Sequence, residues 1–404
     1  MPEVIHPKKG SGSDVIAWTL NPRSSVQLRG SQYAIKNRVT AMNQALNCSR
    51  DTRPELNRIL EKAEHRVPLC APDMTWILGL SDPGARQEVF RAARKLREVH
   101  FGKRVFLYGF LYFSTYCGNS CDFCLYRKNN TAALRYRKSP DQIIASAQRL
   151  SESGIHLIDL TMGEDPEIFQ AGNQGFERLL ETIQSVKQET KLPIMVSAGV
   201  LPEAVLGRLS EVGAIWYACY QETHNRDLYH RLRTRQDYDR RMESKQRAKE
   251  LGLLIEEGLL VGAGESLTDI ADSISVMREL KVDQVRAMSF VPQRGTPMAD
   301  HPAPDPEREL LVIALLRLVF PDCLIPAALD VGGHAELHRK LAAGANVVTS
   351  LIPPGQGLAG VAQCDMNIEE GKRTAAGIQG ILRDSGLEMA PGDAYQSWVN
   401  QRQS

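Results

Sequence analysis

The feature that most constrains the fold is a regular alternation that begins at residue 104. Short apolar, β-branched or aromatic runs alternate there with amphipathic stretches, several of which open with Ser-Pro, Ser or Asp and close at Gly. The runs are RVFLYGFLYFS (104–114), HLIDLT (156–161), PIMVSAG (193–199), AIWYACY (214–220), LLIEEGLLVG (253–262), QVRAMSF (284–290), CLIPAALD (323–330) and NVVTSL (346–351). Eight strands that alternate with helices over about 250 residues are typical of a (β/α)8 barrel.

An open, doubly wound parallel sheet is the alternative arrangement for such a pattern. The first strand is not followed by G-x-G-x-x-G, which counts against a dinucleotide-binding version of that sheet. We therefore predict an α/β fold of the (β/α)8 (TIM) barrel type. Active sites in this fold lie at the carboxyl ends of the strands, so polar residues there are candidates for function.

The barrel does not account for the whole chain of 404 residues. Residues 1–50 begin with a stretch rich in Ser, Gly, Pro and Lys, and we interpret them as a flexible N-terminal extension. Apolar residues at three- and four-residue spacing predict a helical segment over 51–103. The barrel is expected over 104–395, and a short tail over 396–404.

Composition excludes several classes of partner. The formal net charge of +1 gives no reason to expect nucleic acid or an anionic membrane as a partner. No apolar run approaches the ~18 residues needed to span a bilayer, and the N-terminus has no apolar segment of the secretory type. Eight cysteines are too few for a disulfide scaffold of this size, so we expect a cytoplasmic protein in a reducing compartment.

Three of the cysteines are clustered directly after the first predicted strand. Cys117, Cys121 and Cys124 have the spacing C-x3-C-x2-C. A structural zinc site needs four ligands, and zinc sites commonly use two C-x2-C pairs, of which there is no second here. Three thiolates can instead bind three irons of a [4Fe–4S] cluster and leave the fourth iron open. Zinc completed by a distant residue, or unligated thiols, remain the alternatives.

The cysteine motif in this position resembles that of the radical S-adenosylmethionine (SAM) enzymes. The resemblance implies that SAM binds the open iron through its amino and carboxylate groups. It also implies that a reductant such as flavodoxin or ferredoxin delivers one electron, which releases a 5′-deoxyadenosyl radical. Phe123 matches the family position whose neighbourhood packs on adenine.

The remaining strand ends resemble the methylornithine synthases of the pyrrolysine pathway (the PylB family) over about residues 85–395. The stretches that carry this resemblance are LIDLTMGEDP (157–166), PIMVSAGV (193–200), YQETHNRDLYHRLR (220–233), VRAMSFVPQRGTP (285–297), LIPAALD (324–330) and GANVVTSLIPP (344–354). The family converts L-lysine into (3R)-3-methyl-D-ornithine, which implies a fragmentation and recombination of the lysine carbon skeleton. No residue is expected to act as a general base, and a sealed barrel implies a monomer.

The resemblance also implies roles for individual residues. Arg286 suits the lysine carboxylate because a guanidinium binds a carboxylate by two hydrogen bonds. Asp159 and Asp330 suit the two ammonium groups, and further polar contacts are expected from Ser197, Thr349 and Ser350. For SAM, Glu222, Arg241 and Tyr220 match positions that contact its amino acid end. The glycine-rich segment 258–266 is expected to approach the nucleoside.

The chain departs from the family pattern at Ala328, where PASLD is replaced by PAALD. The missing hydroxyl removes about 1 kcal/mol of contact. Biotin-synthase-like and hydrogenase-maturation-like radical enzymes, which act on other small molecules, share the barrel and the cysteine motif. A non-catalytic iron–sulfur or zinc scaffold is the alternative from a different class.

Overall fold

The computed structural model of the protein describes residues 53–354 and 373–403. The extension predicted over 1–50 lies outside these residues. The described chain begins with three helices, α1 (Arg53–Glu64), α2 (Ala71–Leu78) and α3 (Pro83–Phe101). Asp82 caps α3 by accepting a hydrogen bond from the Ala85 N–H at 2.7 Å, and Pro83 supplies the fixed φ suited to a first helical position.

Eight parallel strands follow and confirm the predicted fold class. They are β1 (Arg104–Ser114), β2 (Leu157–Met162), β3 (Ile194–Ser197), β4 (Ala214–Ala218), β5 (Leu254–Val261), β6 (Gln284–Ser289), β7 (Pro326–Ala328) and β8 (Val347–Leu351). Their spatial order is β6-β5-β4-β3-β2-β1-β8-β7. The two ends of this order meet through a parallel bridge between Gln284 and Leu324, where the Val285 N–H donates to the Leu324 carbonyl at 3.0 Å. The sheet is therefore a nearly closed barrel.

Helices connect successive strands and cover the outside of the barrel. They are α4 (Pro140–Glu152), α5 (Pro166–Phe169), α6 (Asn173–Thr190), α7 (Glu203–Leu209), α8 (Arg226–Leu232), α9 (Tyr238–Glu250), α10 (Leu267–Glu279), α11 (Pro306–Val319) and α12 (Gly333–Ala342). Helices α2 and α3 pack against α11, so the N-terminal helical segment extends this outer layer. None of the described helices is long and apolar enough to cross a membrane.

The C-terminal residues close the lower end of the barrel. Helix α13 (Ala375–Asp384), the short strand β9 (Glu388–Met389) beside β1, and α14 (Gly392–Gln403) follow β8. The Tyr395 hydroxyl lies 2.9 Å from the Tyr108 hydroxyl and accepts from the Trp216 indole at 3.0 Å. We call these three side chains the aromatic floor. The position at which we expected a tail to begin lies inside α14, because Tyr395 and Val399 are buried on the face of α14 that packs against the barrel.

Strand β5 carries two consecutive glutamates, Glu256 and Glu257, and both are fully buried. Because successive side chains of a strand point to opposite faces, one enters the barrel interior and the other meets the helical layer. Glu257 forms an ion pair with the fully buried Lys245 of α9 and accepts a hydrogen bond from the Gln221 N–H at 2.7 Å. Burial alone would raise the pKa of Glu257, but the charge of Lys245 and the hydrogen bonds to the carboxylate act together against that effect, and the pKa is lowered.

This ion pair yields a test of the fold. We expect Lys245→Met to destabilise the protein by about 3–5 kcal/mol, since it leaves the Glu257 carboxylate buried without its cation. Adding Glu257→Gln should restore a large part of that loss. Arg247→Met on the same helix is the matched control, because Arg247 is exposed in its pairs with Glu203 and Glu250. Urea unfolding measures all four proteins, and equal stabilities of the Lys245 and Arg247 variants would contradict the expectation.

Candidate active site

The three cysteines lie on a loop that leaves the carboxyl end of β1. Arg135 holds this loop from behind, since its guanidinium donates to the carbonyls of Tyr126 at 3.1 Å and Arg127 at 2.7 Å. On the other side, the Asp122 N–H donates to the Leu232 carbonyl at the end of α8 at 2.8 Å. The loop is therefore fixed both to its own return segment and to the helix that follows β4.

Gly163, directly after β2, is required by the close approach of Cys117. A Cβ atom at Gly163 would lie 2.6 Å from the Cys117 Cβ and 2.9 Å from its Sγ. The neighbouring Gly118 N–H donates to the Glu164 carbonyl at 2.8 Å, which joins the cysteine loop to the residues after β2. Close packing against Cys117 thus explains why glycine occupies position 163 in the motif TMGEDP.

The three thiols provide the donors that a [4Fe–4S] cluster needs. Burial raises the pKa of Cys117 to about 11 and raises that of Cys124 as well, so thiolates here need a nearby cation such as iron. A four-iron cluster takes one thiolate per iron, and these three thiols lie around one cavity. The donor set therefore fits the predicted [4Fe–4S] cluster.

All three cysteines face one cavity at the carboxyl ends of β1 to β6, which is open to solvent and contains about 1050 Å³ of empty space. The four individual residues predicted to contact SAM also line this first cavity, namely Phe123, Tyr220, Glu222 and Arg241. The structure thus brings together the cysteines and the cofactor residues predicted from separate parts of the sequence.

Glu222 lies after β4 with a positive φ of 68°, a backbone conformation that is uncommon for residues other than glycine. Its carboxylate accepts a hydrogen bond from the Arg233 guanidinium at 2.6 Å. Burial raises the pKa of Glu222, although the charge of Arg233 opposes this shift. Sequence reasoning missed Arg233, because it belongs to a run of basic residues that looks like a solvated helix face.

Arg241 belongs to the same basic run, yet its side chain is buried. Its guanidinium lies 2.8 Å from the Cys219 Sγ and donates to the Gln236 amide oxygen at 2.9 Å. The run therefore has two buried members, Arg233 and Arg241, that face the first cavity. Only the family resemblance indicated one of them.

The glycine-rich turn after β5, which we predicted to approach the nucleoside, has internal hydrogen bonds. The N–H groups of Gly262 and Ala263 donate to the Glu265 carboxylate at 2.6 and 2.9 Å. A Cβ atom at Gly262 would lie 2.3 Å from the Pro304 Cβ, so packing explains this glycine. From the whole segment, Leu260 is the residue that lines the first cavity.

A second cavity lies between the first one and the aromatic floor and contains about 480 Å³ of empty space, part of it open to solvent. All six residues predicted to contact the substrate line it, namely Asp159, Ser197, Arg286, Asp330, Thr349 and Ser350. Tyr108 of the floor lines it as well. Thr161, Ser197, Tyr220 and Met288 line both cavities and form the boundary between them.

The charges around the second cavity are largely paired. Arg286 donates to Glu256 at 2.7 Å and to the Thr349 hydroxyl at 3.2 Å. Burial keeps the pKa of Tyr220 well above its ordinary value, so its phenol remains protonated and donates to Glu256 at 2.7 Å. Sequence reasoning missed Glu256, although two acidic residues inside an apolar strand were a visible signal for it.

Asp330 also has a cationic partner that sequence reasoning missed. The Arg373 guanidinium, buried and far along the chain, donates to the Asp330 carboxylate at 2.8 Å. The Ser350 hydroxyl donates to the other carboxylate oxygen, and Ser350 itself has a positive φ of 66°. Asp330 therefore enters the site with part of its charge already compensated.

Asp159 differs from the other two carboxylates. Its described partners are the hydroxyl groups of Ser197 at 2.8 Å and Thr161 at 2.9 Å rather than cations. Burial, together with the negative charge of Glu256, raises the pKa of Asp159 to about 7, against the opposing effects of its hydrogen bonds and of Arg286. A cation bound in the second cavity could therefore pair with the Asp159 carboxylate.

Comparison with known proteins places this geometry in context. A model of the Radical SAM superfamily matches residues 111–277. The chain is 40% identical over 343 residues to a 3-methylornithine synthase of Methanosarcina acetivorans. The aligned region covers 85% of this chain and 97% of that protein. It is 29% identical over 296 residues to the hydrogenase maturase subunit HydE of Thermotoga maritima. That aligned region covers 72% of this chain and 82% of the maturase subunit. The crystal structure of a methylornithine synthase (PylB) superposes with a TM-score of 0.80 at 38% identity and covers 84% of this chain and 99% of that one.

The contact between Gly163 and Cys117 can be tested directly. Gly163→Ala should displace Cys117 and remove most of the bound iron, because the new methyl group overlaps the Cys117 side chain. Gly118→Ala is the matched control next to the same cysteine, since its Cβ would meet no atom closer than 3.6 Å. Iron and sulfide are measured after anaerobic reconstitution. Full iron content in the Gly163 variant would contradict the packing account.

Proposed function

This chain belongs to the 3-methylornithine synthase family of radical SAM enzymes, and on that premise we propose that it converts L-lysine into (3R)-3-methyl-D-ornithine. The enzyme uses a [4Fe–4S] cluster and SAM, as its relatives do. The finer assignments below concern the substrate, the contacts and the course of the reaction.

The cofactors would be held by residues of the first cavity. Cys117, Cys121 and Cys124 would bind the cluster, and Glu222 and Arg241 would pair with the amino and carboxylate groups of SAM. Tyr220 would contact the same amino acid end of SAM, and Phe123 would lie near its adenine. On one-electron reduction, the cluster with bound SAM supplies a 5′-deoxyadenosyl radical, and this is the chemistry on which the reaction depends.

The observation that carries the proposal is the charge balance of the second cavity. Its described charged side chains, with their direct partners, are three carboxylates and two guanidiniums, namely Asp159, Glu256, Asp330, Arg286 and Arg373. With Asp159 ionised, the site carries one net negative charge. Lysine has two ammonium groups and one carboxylate, so it brings one net positive charge. Burying the two together avoids an uncompensated ion, which costs several kcal/mol.

The strand order indicates how lysine lies in the cavity. Arg286 and Thr349 lie on β6 and β8, and Asp330 lies two residues after the end of β7, the strand between them in chain order. We assign the α-carboxylate to the Arg286 guanidinium and the α-ammonium to Asp330. Asp159 lies on β2, across the barrel, and takes the ε-ammonium. Ser197 and Ser350 orient the two carboxylates through their hydroxyl groups.

The substrate would rearrange while both of its ends stay bound. Lysine loses a hydrogen atom from Cγ, and its Cα–Cβ bond then breaks to give a glycyl-type radical and an aminobutene. The glycyl carbon bonds to the internal alkene carbon, and a hydrogen atom returned to the former Cβ forms the methyl group. Binding at Arg286, Asp330 and Asp159 keeps the two fragments in place, and the aromatic floor limits escape and access of water.

Related radical enzymes provide the competing assignment. A hydrogenase maturase subunit shares 29% identity with this chain, compared with 40% for the methylornithine synthase. A biotin-synthase-like or maturase-like enzyme would act on a different small molecule. The excess negative charge at Asp159 favours a substrate with net positive charge. The reductant would be a flavodoxin or ferredoxin, and the working enzyme a cytoplasmic monomer.

The substrate assignment is tested anaerobically with reconstituted enzyme, dithionite, SAM and 13C-labelled L-lysine. We expect a labelled isomer of lysine that chromatographs as methylornithine. Formation of 5′-deoxyadenosine without that isomer would exclude lysine as the substrate but would still support radical SAM chemistry. The absence of both from protein with a full cluster would contradict the enzymatic assignment itself.

Asp159 gives a prediction for pH dependence. Only the ionised carboxylate binds an ammonium group, and its pKa in the free enzyme is about 7. The kcat/KM for lysine should therefore rise about tenfold between pH 6 and pH 8. Asp159→Asn should remove this rise and lower kcat/KM at pH 8 by at least about 30-fold, or ~2 kcal/mol.

Ser197→Ala is the matched variant for this pH profile. The Ser197 hydrogen bond lowers the pKa of Asp159, so its loss should move the rise to higher pH. Steady-state rates of methylornithine formation at saturating SAM give the three profiles. A wild-type profile without the rise, or the same rise in the Asn variant, would rule out Asp159 as the titrating contact.

A further inference from the structure

The side chain of Gln236 connects the cluster loop to a proposed SAM contact. Gln236 lies between α8 and α9, and its amide nitrogen is 2.9 Å from the Cys121 Sγ. Its amide oxygen accepts a hydrogen bond from the Arg241 guanidinium at 2.9 Å. One amide group therefore contacts both a predicted iron ligand and a predicted ligand of the SAM carboxylate.

Chemistry determines which way this amide points. A guanidinium has donors and no acceptor, so the atom of Gln236 that faces Arg241 must be the oxygen. The NH2 group must then face Cys121. A thiolate accepts this hydrogen bond, and the positive charge of Arg241 polarises the amide so that its N–H groups become stronger donors.

Cys121 differs from the other two cysteines in its donors. It accepts from the Gln236 side chain, and the Arg233 guanidinium lies 3.7 Å from its Sγ. The other two cysteines accept hydrogen bonds from backbone N–H groups. The Asn119 N–H donates to the Cys117 Sγ at 3.4 Å, and the Tyr126 N–H donates to Cys124. Side-chain substitution can therefore alter the environment of one sulfur and leave the backbone donors of the other two intact.

We propose that Gln236 is a positioning residue that raises the reduction potential of the cluster through its hydrogen bond to Cys121 and makes that potential respond to the occupancy of Arg241. The inference rests on the cofactors of the family and on the proposed role of Arg241. Hydrogen bonds to the sulfurs stabilise the more negatively charged reduced cluster and so raise its potential. When an anionic carboxylate neutralises Arg241, the amide is polarised less and its hydrogen bond to Cys121 weakens.

The test is a redox titration of the cluster-loaded protein, followed by electron paramagnetic resonance, first without SAM. Gln236→Leu removes the donor, and we expect the equilibrium constant for one-electron reduction to fall about tenfold, equivalent to 59 mV. Gln236→Glu places a carboxylate oxygen against the sulfur and should lower the potential further. Gln293→Leu is the matched control, because Gln293 lines the same cavity while its amide donates to the Val291 carbonyl.

The titration is then repeated with SAM. If neutralisation of Arg241 by the SAM carboxylate acts through Gln236, SAM should shift the reduction potential of the cluster more negatively in the wild type than in Gln236→Leu. Neither titration needs lysine or turnover, so a wrong substrate assignment would leave both results unaffected. Iron content and circular dichroism are recorded for every variant.

Three outcomes would overturn the proposal. The first is a potential in Gln236→Leu and Gln236→Glu equal to that of the wild type. The second is an equal drop in Gln293→Leu, which would make the change a general effect of the cavity. The third is loss of the cluster from both Gln236 variants with an unchanged fold, which would make Gln236 a structural support of the loop.

Discussion

The buried ion pair between Glu256 and Arg286 is the interaction on which the site depends. The two residues lie on the adjacent strands β5 and β6, and their charged groups are 2.7 Å apart. Removing two charges from water is costly, and the pair is tolerated because Tyr220 and Thr349 provide further hydrogen bonds. The result is a guanidinium that is held at its Nε by Glu256 and faces the second cavity.

The two cavities are neighbours with a shared boundary. Four side chains line both cavities, and one of these, Tyr220, also supports Glu256. The proposed reaction needs this proximity, because a radical formed beside the cysteines would have to reach a substrate carbon without meeting water. The aromatic floor closes the opposite end of the substrate cavity. In the proposed reaction, such a closed end would help two substrate fragments to recombine before either could turn or leave.

The sequence predicted the parts of the protein that depend on local pattern. The alternation of apolar runs and amphipathic stretches predicted the barrel, and the spacing of Cys117, Cys121 and Cys124 predicted the cluster loop. Arg241 needed the family resemblance, since its burial depends on tertiary packing and its neighbours are basic. The residues predicted to contact the substrate lie around one cavity, because strand ends converge in a barrel.

The residues that sequence reasoning missed are partners rather than principal contacts. Arg373 meets Asp330 from beyond β8, and Arg233 meets Glu222 from the end of α8, so no local spacing relates either pair. Glu256 was visible as an acidic residue in an apolar strand, but which of the two consecutive glutamates enters the barrel depends on the register of β5. The floor residue Tyr395 was likewise invisible, because a short C-terminal segment has no period that identifies what it packs against.

The central claim is that the unpaired carboxylate of Asp159 selects a substrate by its distal ammonium group. The most direct measurement is calorimetric binding of L-lysine and L-norleucine, which lacks that ammonium, to cluster-loaded enzyme with SAM under anaerobic, non-reducing conditions. Wild-type enzyme should prefer lysine by at least about 30-fold, or ~2 kcal/mol, and Asp159→Asn should bind the two amino acids within a few-fold of each other. An undiminished preference for lysine in Asp159→Asn would contradict the account.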